Sequence, residues 1–299
     1  MWNTEKKPLI TADNFLAAFI SPFYPWRFVT LPMPKTPITY YGGKLNMVKQ
    51  ILPLIPEHRV YVEPYFGGGA IFFAKPKSES EVINDLNDMV VNFFEIAKTR
   101  YLELKLKIEA TLFSRATYSV ALAIYRMPHL FTRLQQAWAF YVGTNMGFSC
   151  QIGSWGFDKY GKRVKAFRNK KIRFDSSIQN RLEGVQIEHL DALKVIGNRD
   201  GEDVFFYLDP PYPNSDQGHY SGFSQQDFEN LLEVLSKIRG KFLLSSYPNE
   251  ALDTHTKQFG WHTLVFDRAK SSVHAKYRNS TTRKIEVLTA NYPFELKEE

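Results

Sequence analysis

Five strand-favouring residues in an unbroken row, Val204-Phe205-Phe206-Tyr207-Leu208, have the pattern of a strand covered on both faces in a parallel sheet. Asp209-Pro210-Pro211-Tyr212 stops it, because neither proline donates a ladder hydrogen bond and the first restricts the residue before it. Similar runs at Val60 to Glu63, Glu81 to Asn84, Gln186 to Leu190, Phe242 to Ser246, residues 261–266 and Lys284 to Ala290 predict six more strands. Helical spacing fills the gaps. Met47, Val48, Ile51 and Leu52 form one apolar stripe, ended by Pro53 and Pro56. Others start at Ile71, run from Asp88 to Lys98, and carry Phe228, Leu231, Leu232 and Leu235 behind the capping pair Ser224 and Asp227. Strands that alternate with helices in this way predict an α/β fold.

Residues 101–184 interrupt the alternation. Helical segments rich in Leu, Ala and aromatic residues lead to Phe140-Tyr141 and a loop, Gly143 to Ser149. Residues 155–173 then hold Lys159, Lys162, Arg163, Lys165, Arg168, Lys170, Lys171 and Arg173 against Asp158 alone, a net +7. Such a run is ordinarily a solvated face. Here Phe157, Tyr160 and Phe167 are interleaved, and basic side chains that neutralise phosphates beside aromatics that stack on bases point to nucleic acid. The expected organisation is an extension over residues 1–32 whose role is unreadable, one α/β domain over 33–100 and 185–299, and a smaller, mainly helical basic insert over 101–184.

Composition narrows the class without changing this picture. A chain of 299 residues with 44% hydrophobic and 23% charged residues has the make-up of a globular protein with a sizeable core. Its net charge of +7 equals that of the basic run alone, which favours a polyanionic partner. The lone Cys150 excludes an internal disulfide and a cysteine-rich zinc site. Seven histidines are scattered without metal-ligand spacing, so no metal is expected. No apolar run approaches a membrane span, and Leu16 to Ile20 is too short for the core of a signal peptide. A cytoplasmic monomer or weak dimer with no membrane partner is the expectation.

Two stretches carry candidate chemistry. Glu63-Pro64 closes one predicted strand and runs into Phe66-Gly67-Gly68-Gly69, then a helix; glycines there allow positive φ and close approach of a ligand to the backbone. Asp85 lies 22 residues beyond Glu63 at the tip of the next strand, where ribose hydroxyls are held in nucleoside-binding βαβ units. The second stretch is Asp209 to Tyr212, a carboxylate, a stiff turn and an aromatic at the carboxyl end of a central strand, where open α/β sheets place ligands. The glycine run alone, or Asp209 to Tyr212 alone, reads also as a structural turn, whereas the glycines with Asp85 at that distance suggest a nucleoside-bearing cofactor.

With both placed, the chain resembles the Dam-type DNA adenine N6-methyltransferases, from about Thr36 to Tyr292 and in their α-group motif order. The resemblance rests on Tyr40-Tyr41-Gly42-Gly43-Lys44, Glu63 to Gly69, Asn84-Asp85-Leu86-Asn87, the basic insert, Asp209 to Tyr212, and the tail Arg283 to Leu288 with Asn291-Tyr292. It implies a Rossmann-like, mixed seven-stranded sheet, S-adenosylmethionine as cofactor and double-stranded DNA as partner. By position, Tyr40, Tyr41 and Lys44 would border the cofactor and catalytic pocket, the turn Phe66 to Gly69 would pass beneath the methionine part, and Glu63, Pro64 and Asp209 would also be cofactor-binding. Asp85 would accept from the ribose, and Asp191 from the adenine amino group. Phe148 and Ser149 would contact DNA near the target base, with Lys162, Arg163, Lys165, Arg168, Lys170 and Lys171 on the phosphates. Ala192 and Cys150 stand where the family often has an aromatic and a glycine.

The expected chemistry follows from the residue types. An exocyclic purine amine is a poor nucleophile because its lone pair is delocalised. The Asp209 carboxylate and the Pro210 carbonyl, accepting its two N–H groups, would favour a pyramidal nitrogen, with Pro211 stiffening the turn and Tyr212 stacking on the base. The rivals are amino methylation of cytosine, an RNA base or a protein glutamine, and a methylase-like subunit that only binds nucleic acid. A nicotinamide dehydrogenase fits less well, since the turn lacks G-x-G-x-x-G spacing.

Overall fold

A computed structural model of the protein describes residues 9–10, 36–148, 151–213, 222–269 and 283–294. Its strands are β1 (Leu9–Ile10), β2 (Val60–Glu63), β3 (Ser80–Asn84), β4 (Gln186–Glu188), β5 (Val204–Leu208), β6 (Lys241–Ser246), β7 (His262–Ala269) and β8 (Arg283–Ala290). They form one sheet in the order β1-β7-β8-β6-β5-β2-β3-β4. The run from β4 through β3, β2 and β5 to β6 is parallel, and β8 lies antiparallel between β6 and β7. All seven expected strands form. The sheet nevertheless has eight, because Leu9–Ile10, within the segment set aside as an extension, pairs in parallel with the exposed edge of β7.

Every side chain of β5 is buried. Phe205 and Tyr207 enter one hydrophobic layer and Val204, Phe206 and Leu208 the other, the two-residue period of a strand packed on both faces. β4 stops two residues short of the predicted Leu190. There the Asn84 side chain takes over the ladder, donating to the Leu190 carbonyl at 3.1 Å and accepting from its N–H at 2.9 Å. After β2 the chain moves outward through β3 and β4, then returns to place β5 on the other side of β2. The carboxyl ends of β2 and β5 thus flank the topological switch point, where a parallel sheet opens a crevice.

On the first face lie α1 (Val48–Ile51), α2 (Ala70–Ala74) and α3 (Asp88–Thr99). The insert adds α4 (Tyr101–Glu109), α5 (Arg115–Arg126), α6 (Arg133–Met146), α7 (Lys162–Arg173) and α8 (Ser176–Leu182). The other face is covered by α9 (Ala192–Arg199), α10 (Gln225–Leu235) and α11 (Glu250–Phe259). Ser224 and Asp227 do form the capping box that opens α10. None of these helices, among the described residues, is long and apolar enough to cross a membrane.

The insert and the sheet share one core. Phe93 of α3 meets Phe140 and Tyr141 of α6 and Phe174 beyond α7, and Arg133 of α6 pairs with Asp88 at 2.6 Å and Glu95 at 3.3 Å. At the other end of the insert, Arg181 of α8 reaches under the sheet to Glu81 of β3, which also holds Lys75 at 2.6 Å. Burial pushes the Lys75 ammonium down to about 8, against the pull of Glu81. For Glu81 itself burial works upward, but the Arg181 and Lys75 contacts outweigh it and hold the carboxyl low. Glu81→Ala therefore leaves two cations facing each other without their shared anion. The expected loss is about 3–5 kcal/mol of unfolding free energy, measured by urea denaturation.

Candidate active site

Three carboxylates converge on the switch point: Glu63 ends β2, Asp85 follows β3 and Asp209 follows β5. Backbone N–H groups hold Asp85 rigidly, Gly67 donating to Oδ2 and Asn87 to Oδ1, each at 2.8 Å. The glycine-rich turn between β2 and α2 is locked from both sides. Phe66 donates to the Asn84 carbonyl at 2.9 Å and Gly69 to the Phe66 carbonyl at 2.8 Å, while the Pro64 carbonyl accepts from Asn84. The Phe66 ring packs in the core edge-on to Phe72 and Phe94, so this residue offers the crevice only its backbone. Gly69 has φ 65°, and a Cβ there would stand 2.4 Å from the Phe66 ring. At Gly68 a Cβ would come within 3.0 Å of the Tyr40 Cβ, so the turn and the Tyr40–Lys44 segment are pressed together.

That close approach delivers Lys44. Its buried ammonium pairs with Asp209 Oδ1 at 2.6 Å and donates to the Gly42 carbonyl at 3.3 Å. The Tyr212 hydroxyl lies 3.0 Å from the same Asp209 oxygen, 2.8 Å from Ser245 Oγ and 3.1 Å from Glu286 Oε2. The Tyr212 ring is thus anchored by its far end, edge-on to Tyr247 with ring centres 4.4 Å apart, and Lys44 Nζ is 4.9 Å from its centre. Tyr40 is buried beside Phe140 and Tyr41 is half-buried. Ser245 and Glu286 were not among the expected site residues. The signal for Glu286 was a glutamate inside the otherwise largely apolar run Ile285 to Ala290.

Burial dominates the electrostatics. It pushes the Glu63 carboxyl up to about 8, although the Tyr61 hydroxyl donates to Oε2 at 2.7 Å. Asp209, with 18% of its side chain exposed, is also raised by burial, and Lys44 is the main opposing influence. The Tyr212 phenol is raised well above its usual range by burial and then by Asp209 and Glu286. Acids set around one lysine suit a ligand that carries hydroxyls and positive charge. Asp191 is exposed and spends Oδ1 on the N-terminus of α9, accepting from Leu193 at 3.0 Å and Lys194 at 3.3 Å. Exposed Leu86 and Leu190 adjoin Asp85 and Asp191.

The basic run becomes α7, and its cations separate into two sets. Lys162, Lys165 and Arg168 are exposed, together with the apolar Phe148, Phe157 and Tyr160. Arg163 instead donates to the Gly147 carbonyl at 2.7 Å, with its guanidinium against Gly156. Lys171 caps the end of α4 through the carbonyls of Glu109 at 2.8 Å and Thr111 at 3.0 Å. Lys170 is half-buried. Ser149 lies outside the described residues. Three or more metal-ligating side chains do not gather anywhere among the described residues.

The family model described as D12 class N6 adenine-specific DNA methyltransferase matches residues 40–138 and 144–281. The chain is 24% identical over 291 residues to the modification methylase StsI of Streptococcus sanguinis, covering 86% of this chain and 43% of that protein. To the type II methyltransferase M1.LlaDCHI of Lactococcus lactis subsp. cremoris it is 25% identical over 286 residues, 84% of this chain and 93% of that one. A DNA adenine methylase of Vibrio cholerae matches a shorter stretch, 34% identical over 62 residues, 21% of this chain and 22% of that protein.

Lys44→Met tests the electrostatic arrangement without any ligand. Removing the cation nearest Asp209 should raise that carboxyl's titration midpoint by about 1–3 pH units, read from 13C-labelled aspartate by NMR. An unmoved midpoint would mean that the pair does not govern Asp209.

Proposed function

Because the chain belongs to the D12 class N6 adenine-specific DNA methyltransferases, we propose that it transfers a methyl group from S-adenosylmethionine to the N6 amino group of adenine at a specific site in duplex DNA. The observation that carries this reading is the convergence at the switch point of the glycine turn, Asp85 and the Lys44–Asp209–Tyr212 group.

The donor set fits the cofactor. Asp85, its carboxylate already oriented by two backbone donors, would take the ribose hydroxyls. Asp191 would accept from the adenine amino group through the oxygen not used in capping α9, with Leu86 and Leu190 offering apolar surface to the ring. Glu63 and the backbone of Pro64 and Phe66 to Gly69 would lie under the methionine part, beside Tyr40 and Tyr41. When bound, the cofactor supplies a methyl group already activated on a sulfonium sulfur.

What remains for the protein is to aim a weak nucleophile. The Asp209 carboxylate and the Pro210 carbonyl would each accept one N–H of the target amine and turn its lone pair outward. Lys44 favours the ionised form of Asp209, which can only accept. Tyr212, its hydroxyl tethered, would present a ring of fixed plane to the base. The base must leave the duplex to arrive there, at a cost of a few kcal/mol. Exposed Phe148 would contact the DNA near the target base, and the exposed Lys162, Lys165 and Arg168 would neutralise phosphates. Arg163, Lys170 and Lys171 would add to this, although Arg163 and Lys171 also donate to protein carbonyls.

Two experiments test the proposal. Purified protein given methyl-labelled S-adenosylmethionine and duplex DNA should yield N6-methyladenine, and Asp209→Ala should abolish it while cofactor binding largely survives; label found only in cytosine, RNA or protein would sink the adenine reading. Replacing Lys162, Lys165 and Arg168 together by glutamine should weaken DNA binding and flatten the log–log salt dependence by about 0.9 for each phosphate no longer neutralised. An unchanged slope would leave that face of α7 as plain surface.

A further inference from the structure

We infer that Glu286 is a positioning residue that works through the Tyr212 hydroxyl to set how firmly Asp209 holds a proton. The inference rests on the reading of Asp209 as the group that meets the target amine. Register explains how Glu286 arrives: Ser245 of β6 pairs with Leu288 of β8, and Glu286 is two residues away on the same face. Both side chains are buried, and both reach the Tyr212 oxygen, Ser245 at 2.8 Å and Glu286 at 3.1 Å.

The proton count makes this consequential. A phenol carries one proton and can accept from other donors. Ser245 can supply one of those donors, but Asp209 and Glu286 then compete for the single phenolic proton. When it points at Asp209, that carboxylate is bonded by Tyr212 and Lys44 together, and its anion is favoured. When it points at Glu286, Asp209 is left with one donor fewer and faces a neighbouring negative charge. Among the described residues, the titratable groups that act on the pair include Glu63 at the end of β2 and Tyr207 on β5, with Lys44 as the cation paired to Asp209. Burial is the largest cause of the raised Asp209 carboxyl, and Glu286 adds to it while Lys44 and Tyr212 oppose it.

An Asp209 tuned upward holds a proton better once the amine has formed its bond to the methyl carbon and must shed one N–H proton. The same tuning leaves less of Asp209 ionised at low pH. Glu286 thereby trades acid tolerance for proton affinity at the carboxylate that touches the substrate.

Glu286→Gln keeps the shape, removes the charge, and offers an amide donor that frees the phenolic proton for Asp209. The Asp209 midpoint should fall by about one pH unit, followed by NMR of 13C-labelled aspartate in ligand-free protein and assigned with Asp209→Asn. In turnover, the acid limb of kcat should move the same way and the plateau should drop several-fold, with KM for S-adenosylmethionine unchanged. Ser245→Ala, which leaves the charge in place, should leave the midpoint within a few tenths of a unit. Tyr212→Phe deletes the contested proton and should raise the midpoint. An unmoved midpoint in Glu286→Gln, an equal displacement in Ser245→Ala, or a fall in Tyr212→Phe would each overturn the inference. The titration is read without DNA or cofactor, so its outcome is independent of whether adenine is the substrate.

Discussion

A lysine and a carboxylate 165 residues apart in the chain meet at 2.6 Å, and the architecture of the candidate site depends on that pair. Both groups are largely withdrawn from water, so each is costly without the other. Keeping them together requires the Tyr40–Lys44 segment to be stiff, and the Gly43 N–H bond to the Tyr40 carbonyl at 3.2 Å begins that work. The close approach of Gly68 to Tyr40 completes it, because any side chain at Gly68 would push the segment away. One turn thereby braces another: the glycine-rich turn supports the lysine, and the lysine fixes Asp209. A substitution that loosens the first should be felt at the third.

The strand pattern was legible for a simple reason. A parallel strand buried on both faces needs apolar residues at every position, and Val204 to Leu208 supplies five. The acids at the strand tips were legible because proline or a turn follows each strand at once. Partner choice was not. A cation in a sequence has no direction, and nothing in the spacing of α7 distinguishes Lys165, which faces solvent, from Lys171, which finds the open carbonyls at the end of α4. Glu286 stood out as a glutamate in a largely apolar run, but which groups it meets comes from the antiparallel register of β8 with β6 and could not be read from its neighbours in the chain. β4 ended early for a cause invisible in its own residues: the side chain of Asn84, more than a hundred positions earlier, replaces its ladder.

The shared core of insert and sheet bears on how a base would be extracted. Unstacking a base costs a few kcal/mol, and a wedge can deliver that only from a footing that does not yield. Phe148 projects from a loop whose base is fixed on several sides. Gly147 forms a bridge with Trp155, its carbonyl is held by Arg163, and a Cβ at Gly147 would stand 2.1 Å from the Gln151 carbonyl oxygen. The loop springs from α6, whose Phe140 packs against Tyr40, one end of the segment that carries Lys44. Arg163, one of the cations expected on the phosphates, donates to the Gly147 carbonyl and so contributes to this footing. The loop that carries Phe148 and the segment that carries Lys44 are therefore linked through one packed contact, Phe140 against Tyr40.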